Sequence, residues 1–364
     1  NGFGIHEFEE ELTGPEYAER YVDEIAEAGI ASLPETTVLG VERDGEEFVT
    51  RVLSREGGIE RIRSRVVALA MGSRERNRGS IQIPGSRPAG VMTAGAAQRL
   101  INIEGFIPGK RAVIIGSGDI GLIMARRFKL IGCDVEAVIE IQPVPSGINR
   151  NIVQCLDDFS IPLYLGHVVT EIHGGNRVTG VTVAPLENGV PRSDRSFDIE
   201  CDTVLLSVGL VPENEISREV GVELHRQTNG PTVDARLMTS VPGVFASGNV
   251  LHIHDLVDFV AEESRRCGQA VADFLDGTQA PPQADLVVGS NVRYVAPGKI
   301  RTDGKNRIYL RSLIASVGAT VEVKVGDTVI KKAKQHHVQP SEMISITVDG
   351  SKVEPGARVE VSLR

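Results

Sequence analysis

Apolar and polar positions along the chain fall into short blocks with two distinct periods. Arg111-Ala-Val-Ile-Ile115 is almost wholly apolar, the pattern of a strand buried on both faces of a parallel sheet. After Gly116-Ser-Gly-Asp-Ile-Gly121, the residues Ile120, Ile123, Met124, Phe128 and Ile131 recur at helical spacing, and Gly132 ends the helix. Val135-Glu-Ala-Val-Ile139 predicts a second buried strand, with Glu140 at its end. The three blocks form one βαβ unit of roughly 30 residues.

Downstream, a helix-like stretch (Asn151 to Phe159) leads into Ser-Ile-Pro-Leu-Tyr-Leu. Alternating stretches follow at Val168–His173 and Val178–Ala184, and Cys201 to Gly209 is an apolar strand ending in a small-x-Gly. The first hundred residues repeat this order. Glu16 to Glu27 predict an amphipathic helix and Ala28 to Leu33 a strand. Thr36 to Val41 and Phe48 to Leu53 make a hairpin through Asp44-Gly45, and Ser64 to Gly72 close the run. Gly116 precedes Gly209 by 93 residues, and the same interval counted back from Gly72 falls before Asn1. The expectation is a duplicated dinucleotide fold whose first copy lacks its opening βαβ unit, the chain being cut from a longer protein. Past Pro281-Pro282 the pattern changes to short alternating stretches at Arg307–Arg311, Val321–Val325, Met343–Val348 and Val359–Leu363. Gly326-Asp327 and Asp349-Gly350 read there as hairpin turns.

The fold class is therefore α/β: two Rossmann-like dinucleotide domains and a small β-rich domain. The predicted boundaries are 1–105 with 214–280 for the incomplete domain, 106–213 for the inserted one and 281–364 for the last.

Composition narrows the partners. At 41% hydrophobic and 24% charged, the 364 residues can fill a core, and no apolar run reaches membrane-span length. A net charge of −10 argues against a nucleic-acid partner. Cys133, Cys155, Cys201 and Cys267 are widely spaced, which excludes a local redox pair and a zinc site of close Cys pairs, and fits a reducing cytoplasm.

The glycine loop carries the clearest chemistry. Gly116 allows the turn, Gly118 lets backbone approach a pyrophosphate, and Gly121 lets helix and strand pack closely. Ser117, Asp119 and Ile120 complete the loop, whose free N–H groups and helix dipole attract phosphate. Glu140, nineteen residues beyond Gly121, can accept hydrogen bonds from a ribose and would repel a 2′-phosphate, which favours NAD over NADP.

The sequence resembles the FAD/NAD(P)-dependent pyridine-nucleotide oxidoreductases, on the thioredoxin-reductase-like branch, over roughly residues 1–280. Besides the glycine loop, the motifs are Ala70-Met-Gly72, Ser207-Val-Gly209-Leu-Val-Pro212 and Gly243-Val-Phe-Ala-Ser-Gly248-Asn249. The stretches Asn1-Gly-Phe-Gly, Gly90 to Gln98 and Leu251-His-Ile-His-Asp-Leu-Val-Asp258 add a likeness to NADH-linked flavoproteins related to flavin subunits of opine and amine oxidases. The resemblance implies FAD and NAD as cofactors, with Gly72, Gly248, Asn249, Phe259, Val260 and Ala261 on the flavin side and Gly209 beside the NAD domain. It implies hydride transfer between NADH and flavin, then to an unidentified acceptor or to a flavoprotein dehydrogenase or oxidase partner subunit; a homo-oligomer is a further candidate. Asn249 stands where the family has Asp, and Met92 to Gln98 lacks the Cys-x-x-Cys of thioredoxin reductases, so thioredoxin reduction is not expected. The complete protein is expected to hold FAD, and this stretch alone to hold it loosely. The competing reading is a non-catalytic NADH-binding or scaffold subunit with a vestigial FAD site. A dehydrogenase using NAD alone needs an acid or base beside the nicotinamide, and no catalytic side chain is assigned.

The remaining candidates read as ordinary. His252, His254 and Asp255 fit a flavin or substrate environment better than a metal site, and no metal is assigned. Arg74, Arg76 and Arg78 read as a solvated basic turn, His336-His337 as an exposed loop, and Cys133 and Cys155 as packing residues.

Overall fold

The computed structural model describes residues 3–5 and 7–364. Asn1, Gly2 and His6, and with them the start of the Asn1-Gly-Phe-Gly stretch, lie outside the described residues. The chain forms two compact units, Arg74–Val211 and Asn1–Ser73 with Pro212–Arg364.

The Arg74–Val211 unit is built on five parallel strands, in the order Val91–Thr93, Thr203–Leu206, Arg111–Ile115, Asp134–Glu140, Leu163–Leu165. Val91–Thr93, placed with the first segment by the sequence reading, belongs to this sheet because it hydrogen-bonds along Thr203–Leu206. The central strand is apolar on both sides because both sides are covered. Ala112 and Ile114 meet Leu122, Met124 and Phe128 of the helix Asp119–Leu130 on one face. Val113 and Ile115 meet Val169, Ile172, Val181 and Val183 of an antiparallel meander on the other. That meander pairs His167–Gly174 with Val178–Glu187, which pairs with Phe197–Glu200. Burial of each large apolar side chain here contributes roughly 1.5–3 kcal/mol. The predicted helix from Asn151 to Phe159 is shorter, an α-helix over Asn149–Cys155 and a 3-10 turn over Asp157–Phe159.

The second unit repeats the meander as Thr36–Asp44, Glu47–Ser54 and Gly58–Ser64. Its early and late segments meet in a parallel pair, Val67–Leu69 with Val244–Ala246. The relation matches that of Thr203–Leu206 with Val91–Thr93. Among the described residues Val67–Leu69 has no neighbour on its other edge. The helix Gly14–Glu27 forms as predicted, closed by a capping box between Thr13 and Glu16. Ala28 to Leu33 forms no strand, and Ile30 and Leu33 are exposed. Its counterpart Leu163–Leu165 pairs with Asp134–Glu140, and no equivalent of that partner stands beside residues 28–33 among the described residues.

The C-terminal strands form a five-stranded and a three-stranded sheet around a core that includes Ile300, Ile308, Leu310, Val321, Val323, Val359 and Val361. Gly326-Asp327 is the two-residue turn of a hairpin between Ser316–Val325 and Thr328–Val338. His336-His337 therefore sit on an exposed edge strand, not in a loop; the lysines of that strand shield its open edge. Asp349-Gly350 is no hairpin turn. The chain passes there through a 3-10 turn, Gly350–Lys352, from the three-stranded sheet into the five-stranded one, where Arg358–Leu363 is inserted.

Candidate functional site

The glycine loop lies at the C-terminal end of Arg111–Ile115, where ligands of parallel sheets bind. Gly116 has φ +96°, and a Cβ there would drive into the Ser207 carbonyl. At Gly121 a Cβ would lie 2.8 Å from the Gly116 oxygen and 2.8 Å from the Ser207 Cβ, so only glycine lets helix and strand approach. Gly118 differs: the nearest atom to an added Cβ is 3.9 Å away. Its space is open, and Gly118 is the N-cap of Asp119–Leu130 with no side chain bonded to the helix N–H groups. An open cradle over uncapped N–H groups fits a dinucleotide pyrophosphate.

Glu140 is buried at the end of its strand, with both oxygens engaged. One accepts from the Ser117 N–H at 2.9 Å, the Ser117 hydroxyl at 2.6 Å and the Ser146 hydroxyl at 3.1 Å. The other accepts, among the described residues, the Gln142 N–H at 2.9 Å, and keeps a lone pair for a ribose hydroxyl. The Asp119 carboxylate accepts from the Ile148 N–H at 3.0 Å and from Asn151 Nδ2 at 2.7 Å. Ile120 remains 40% exposed in the first helical turn. Gly209 turns with φ +94° and its carbonyl receives the Arg76 N–H. Ser146 and Asn151 escaped the sequence reading, because nothing local marks a polar loop that folds back onto a helix start. Arg78 is no solvated basic turn: its guanidinium donates to the carbonyls of Ile83, Pro84 and Gly85 and fixes that loop. A separate cavity, bounded by Lys110, Arg111, Cys133, Asp134 and Asp202, lies at the opposite end of the strand, away from the glycines.

In the other unit, Gly72 and Gly248 both have φ +76°. Phe259, Val260 and Ala261 lie in the first turns of the helix Val257–Leu275, whose N-terminus carries no side-chain cap. That uncapped end of a 19-residue helix fits an anionic ring edge. Phe259 packs near Tyr309, 6.0 Å between ring centroids, with the Arg307 guanidinium 5.9 Å from its ring. Asn249 turns its side-chain oxygen to the His254 backbone N–H at 2.9 Å, leaving its amide nitrogen as the donor for a ligand.

The His-x-His-Asp cluster is corrected in its third member. Asp255 pairs with Arg311 and accepts the Met343 N–H, while the two imidazoles turn to Glu263, nine residues along the chain from His254. His252, His254 and Glu263 are buried. Burial pushes the His252 imidazole below its ordinary pKa. The missed signal was a glutamate on the apolar stripe Val260, Glu263, Cys267, Ala270 of a helix.

All four cysteines are free and buried. Burial pushes the Cys201 thiol up to about 12 and the Cys267 thiol up to about 11. No helix among the described residues is long and apolar enough to cross a membrane.

The chain belongs to the pyridine nucleotide-disulphide oxidoreductase family, which it matches over residues 5–273. Members of that family depend on FAD and NAD(P). The chain is 28% identical over 229 residues to the dihydrolipoyl dehydrogenase of Pseudomonas aeruginosa, covering 61% of this chain and 44% of that protein. It is 26% identical over 236 residues to the ferredoxin–NAD(+) reductase component of the anthranilate 1,2-dioxygenase system of Burkholderia cepacia, covering 59% and 53%. It thus spans about half the length of these relatives. Among solved structures, the thioredoxin reductase of T. acidophilum is similar with a TM-score of 0.57 at 26% identity, over 74% of this chain and 82% of that one.

Proposed function

We propose that the chain works as a FAD-dependent NADH oxidoreductase that delivers its electrons to a partner protein. The observation that carries this reading is the uncapped start of Asp119–Leu130 beside the open space at Gly118, with Glu140 at the adjoining strand end. The N–H groups of that helix start hold the pyrophosphate, and the free lone pair of Glu140 takes a ribose hydroxyl, which selects NADH. On the flavin side, Gly72, Gly248 and the Asn249 amide would hold the cofactor, and the start of Val257–Leu275 would offer its helix dipole to the ring. When bound, the two cofactors supply the hydride chemistry themselves, so the chain needs no acid or base of its own for that exchange.

A protein acceptor is favoured over a disulfide formed by these residues. The four thiols are buried with raised pKa values, so none offers a thiolate for exchange. The likeness to a ferredoxin–NAD(+) reductase component supports the same choice. Free thiols also suit a cytoplasmic setting. The test is spectroscopic: the complete protein, once purified, should be yellow, and NADH added without oxygen should bleach it. A colourless protein that still binds NADH by calorimetry would instead make it a binding or scaffold subunit.

A further inference from the structure

Three buried side chains bring ligand atoms together in the unit that holds Val257–Leu275. Those of His252, His254 and Glu263 all lie within 4.8 Å of one another, and the side chains are 0%, 1% and 0% exposed. One carboxylate oxygen of Glu263, Oε2, stands 3.2 Å from His252 Nε2 and 3.6 Å from His254 Nε2. The other, Oε1, accepts the Gly248 N–H at 2.7 Å.

Hydrogen bonding sets the state of one ring. Asn249 Oδ1 accepts the His254 backbone N–H at 2.9 Å, which identifies that atom as the amide oxygen. The same oxygen stands 3.3 Å from His254 Nδ1. An oxygen of this kind only accepts, so Nδ1 carries the hydrogen. In the neutral ring, Nε2 is then a bare lone pair aimed at a carboxylate oxygen, and it has no hydrogen-bond partner among the described residues. Two lone pairs facing each other in a dry pocket repel, unless positive charge lies between them.

We propose that His252 Nε2, His254 Nε2 and Glu263 Oε2 bind one divalent cation of the zinc type. Tetrahedral zinc sits about 2.0–2.2 Å from such donors, which spaces neighbouring ligand atoms about 3.4 Å apart. The separations of 3.2 and 3.6 Å straddle that spacing. Two imidazoles and a carboxylate are borderline donors that suit zinc better than calcium or magnesium. The outer partners fit as well: Asn249 holds one imidazole and the Gly248 N–H holds the far carboxylate oxygen. The rings of Tyr294 and Tyr309 pack against His252 with centroids 5.9 and 5.3 Å away, and both hydroxyls are buried without a partner among the described residues. The ion would pin the 248–254 turn to the helix beneath it. This inference does not rest on the hydride reading, because metal is measured before flavin or NADH is added.

The test uses cobalt(II) as the probe. The chain is dialysed against a chelator and titrated with cobalt, following visible absorption and thermal melting. One equivalent should bind, with the intense bands of a four- or five-coordinate site and a raised melting temperature. Glu263→Gln preserves volume and the acceptor for Gly248, and should weaken binding about 100-fold or more. His254→Gln should do the same, and Asp255→Asn, outside the ligand set, should bind cobalt normally. Absence of a saturable cobalt spectrum in the wild-type chain would overturn the proposal whatever the variants do. So would retention of the spectrum by both ligand variants, or its loss in Asp255→Asn.

Discussion

Ser117 gives both its backbone N–H and its hydroxyl to a single oxygen of Glu140, at 2.9 and 2.6 Å. The residue between the first two glycines is thereby tied to the acid at the end of the next strand. The loop that receives the pyrophosphate and the group that receives the ribose are set as one piece. Ser117→Ala removes the hydroxyl's bond to Glu140 and the acceptor of the Ser146 N–H at 2.9 Å, and we expect a loss of at least about 1.5–3 kcal/mol in urea unfolding, the range for one hydrogen bond to a charged group. Glu140→Ala should also lower the NADH over NADPH preference. An unchanged ratio of dissociation constants in calorimetry would show that Glu140 serves the loop alone.

Three glycines of the loop should separate binding from folding. Gly116→Ala meets backbone at a φ of +96°, and Gly121→Ala meets the Gly116 oxygen at 2.8 Å, so both should unfold at clearly lower urea concentration. Gly118→Ala meets nothing closer than 3.9 Å and should keep the wild-type melting temperature while weakening NADH binding at least tenfold. Equal NADH affinity in wild type and Gly118→Ala would remove the pyrophosphate from this cradle.

The thiols set an expected pH dependence. Burial raises Cys201 from an ordinary 9.0 to about 12 and Cys267 to about 11. The folded chain therefore holds protons that the unfolded chain releases above pH 9. Their contribution to stability is complete below pH 9 and is lost as pH rises toward 11 and 12. Urea midpoints should fall between pH 8 and pH 10.5, and less steeply in Cys201→Ala. A thiol reagent at pH 8 should modify none of the four cysteines until the chain is unfolded; rapid reaction of one would contradict the burial.

Arg311 clamps the turn that bears the two histidines. It donates to the Ile253 carbonyl at 3.1 Å and to Asp255, which accepts the Met343 N–H with its other oxygen. Its side chain is 12% exposed, so Arg311→Met leaves three acceptors, the Ile253 and Ser341 carbonyls and Asp255, without their partner at little change in volume. We expect about 2 kcal/mol of destabilisation by denaturant melting. Asp255→Asn should cost less, because Asp255 is 36% exposed.

Much of this was legible without coordinates, and the readable parts share one property: their signal is local. The βαβ unit shows in an apolar strand, a glycine loop and a helical stripe, each read within a dozen residues, and the observed strand and helix, Arg111–Ile115 and Asp119–Leu130, fall where the pattern put them. The repeated meander shows because each hairpin carries its own alternation and turn. The same locality explains the errors. Ala28 to Leu33 has strand composition, but a strand forms only against a neighbour. Asp349-Gly350 has hairpin chemistry, but Arg358–Leu363 finds its partners in the other sheet.

What the sequence alone determined is the set of segments and the loop that invites a pyrophosphate, since period and backbone freedom are properties of neighbouring residues. Tertiary structure alone decided which side chains share a buried space. Glu263 reaches His252 and His254 because a helix turns its buried face toward the preceding turn, and Arg311 draws Asp255 away from that group from a strand 56 residues along the chain. Charges taken out of water must find partners wherever the fold brings them, and sequence distance does not limit that choice.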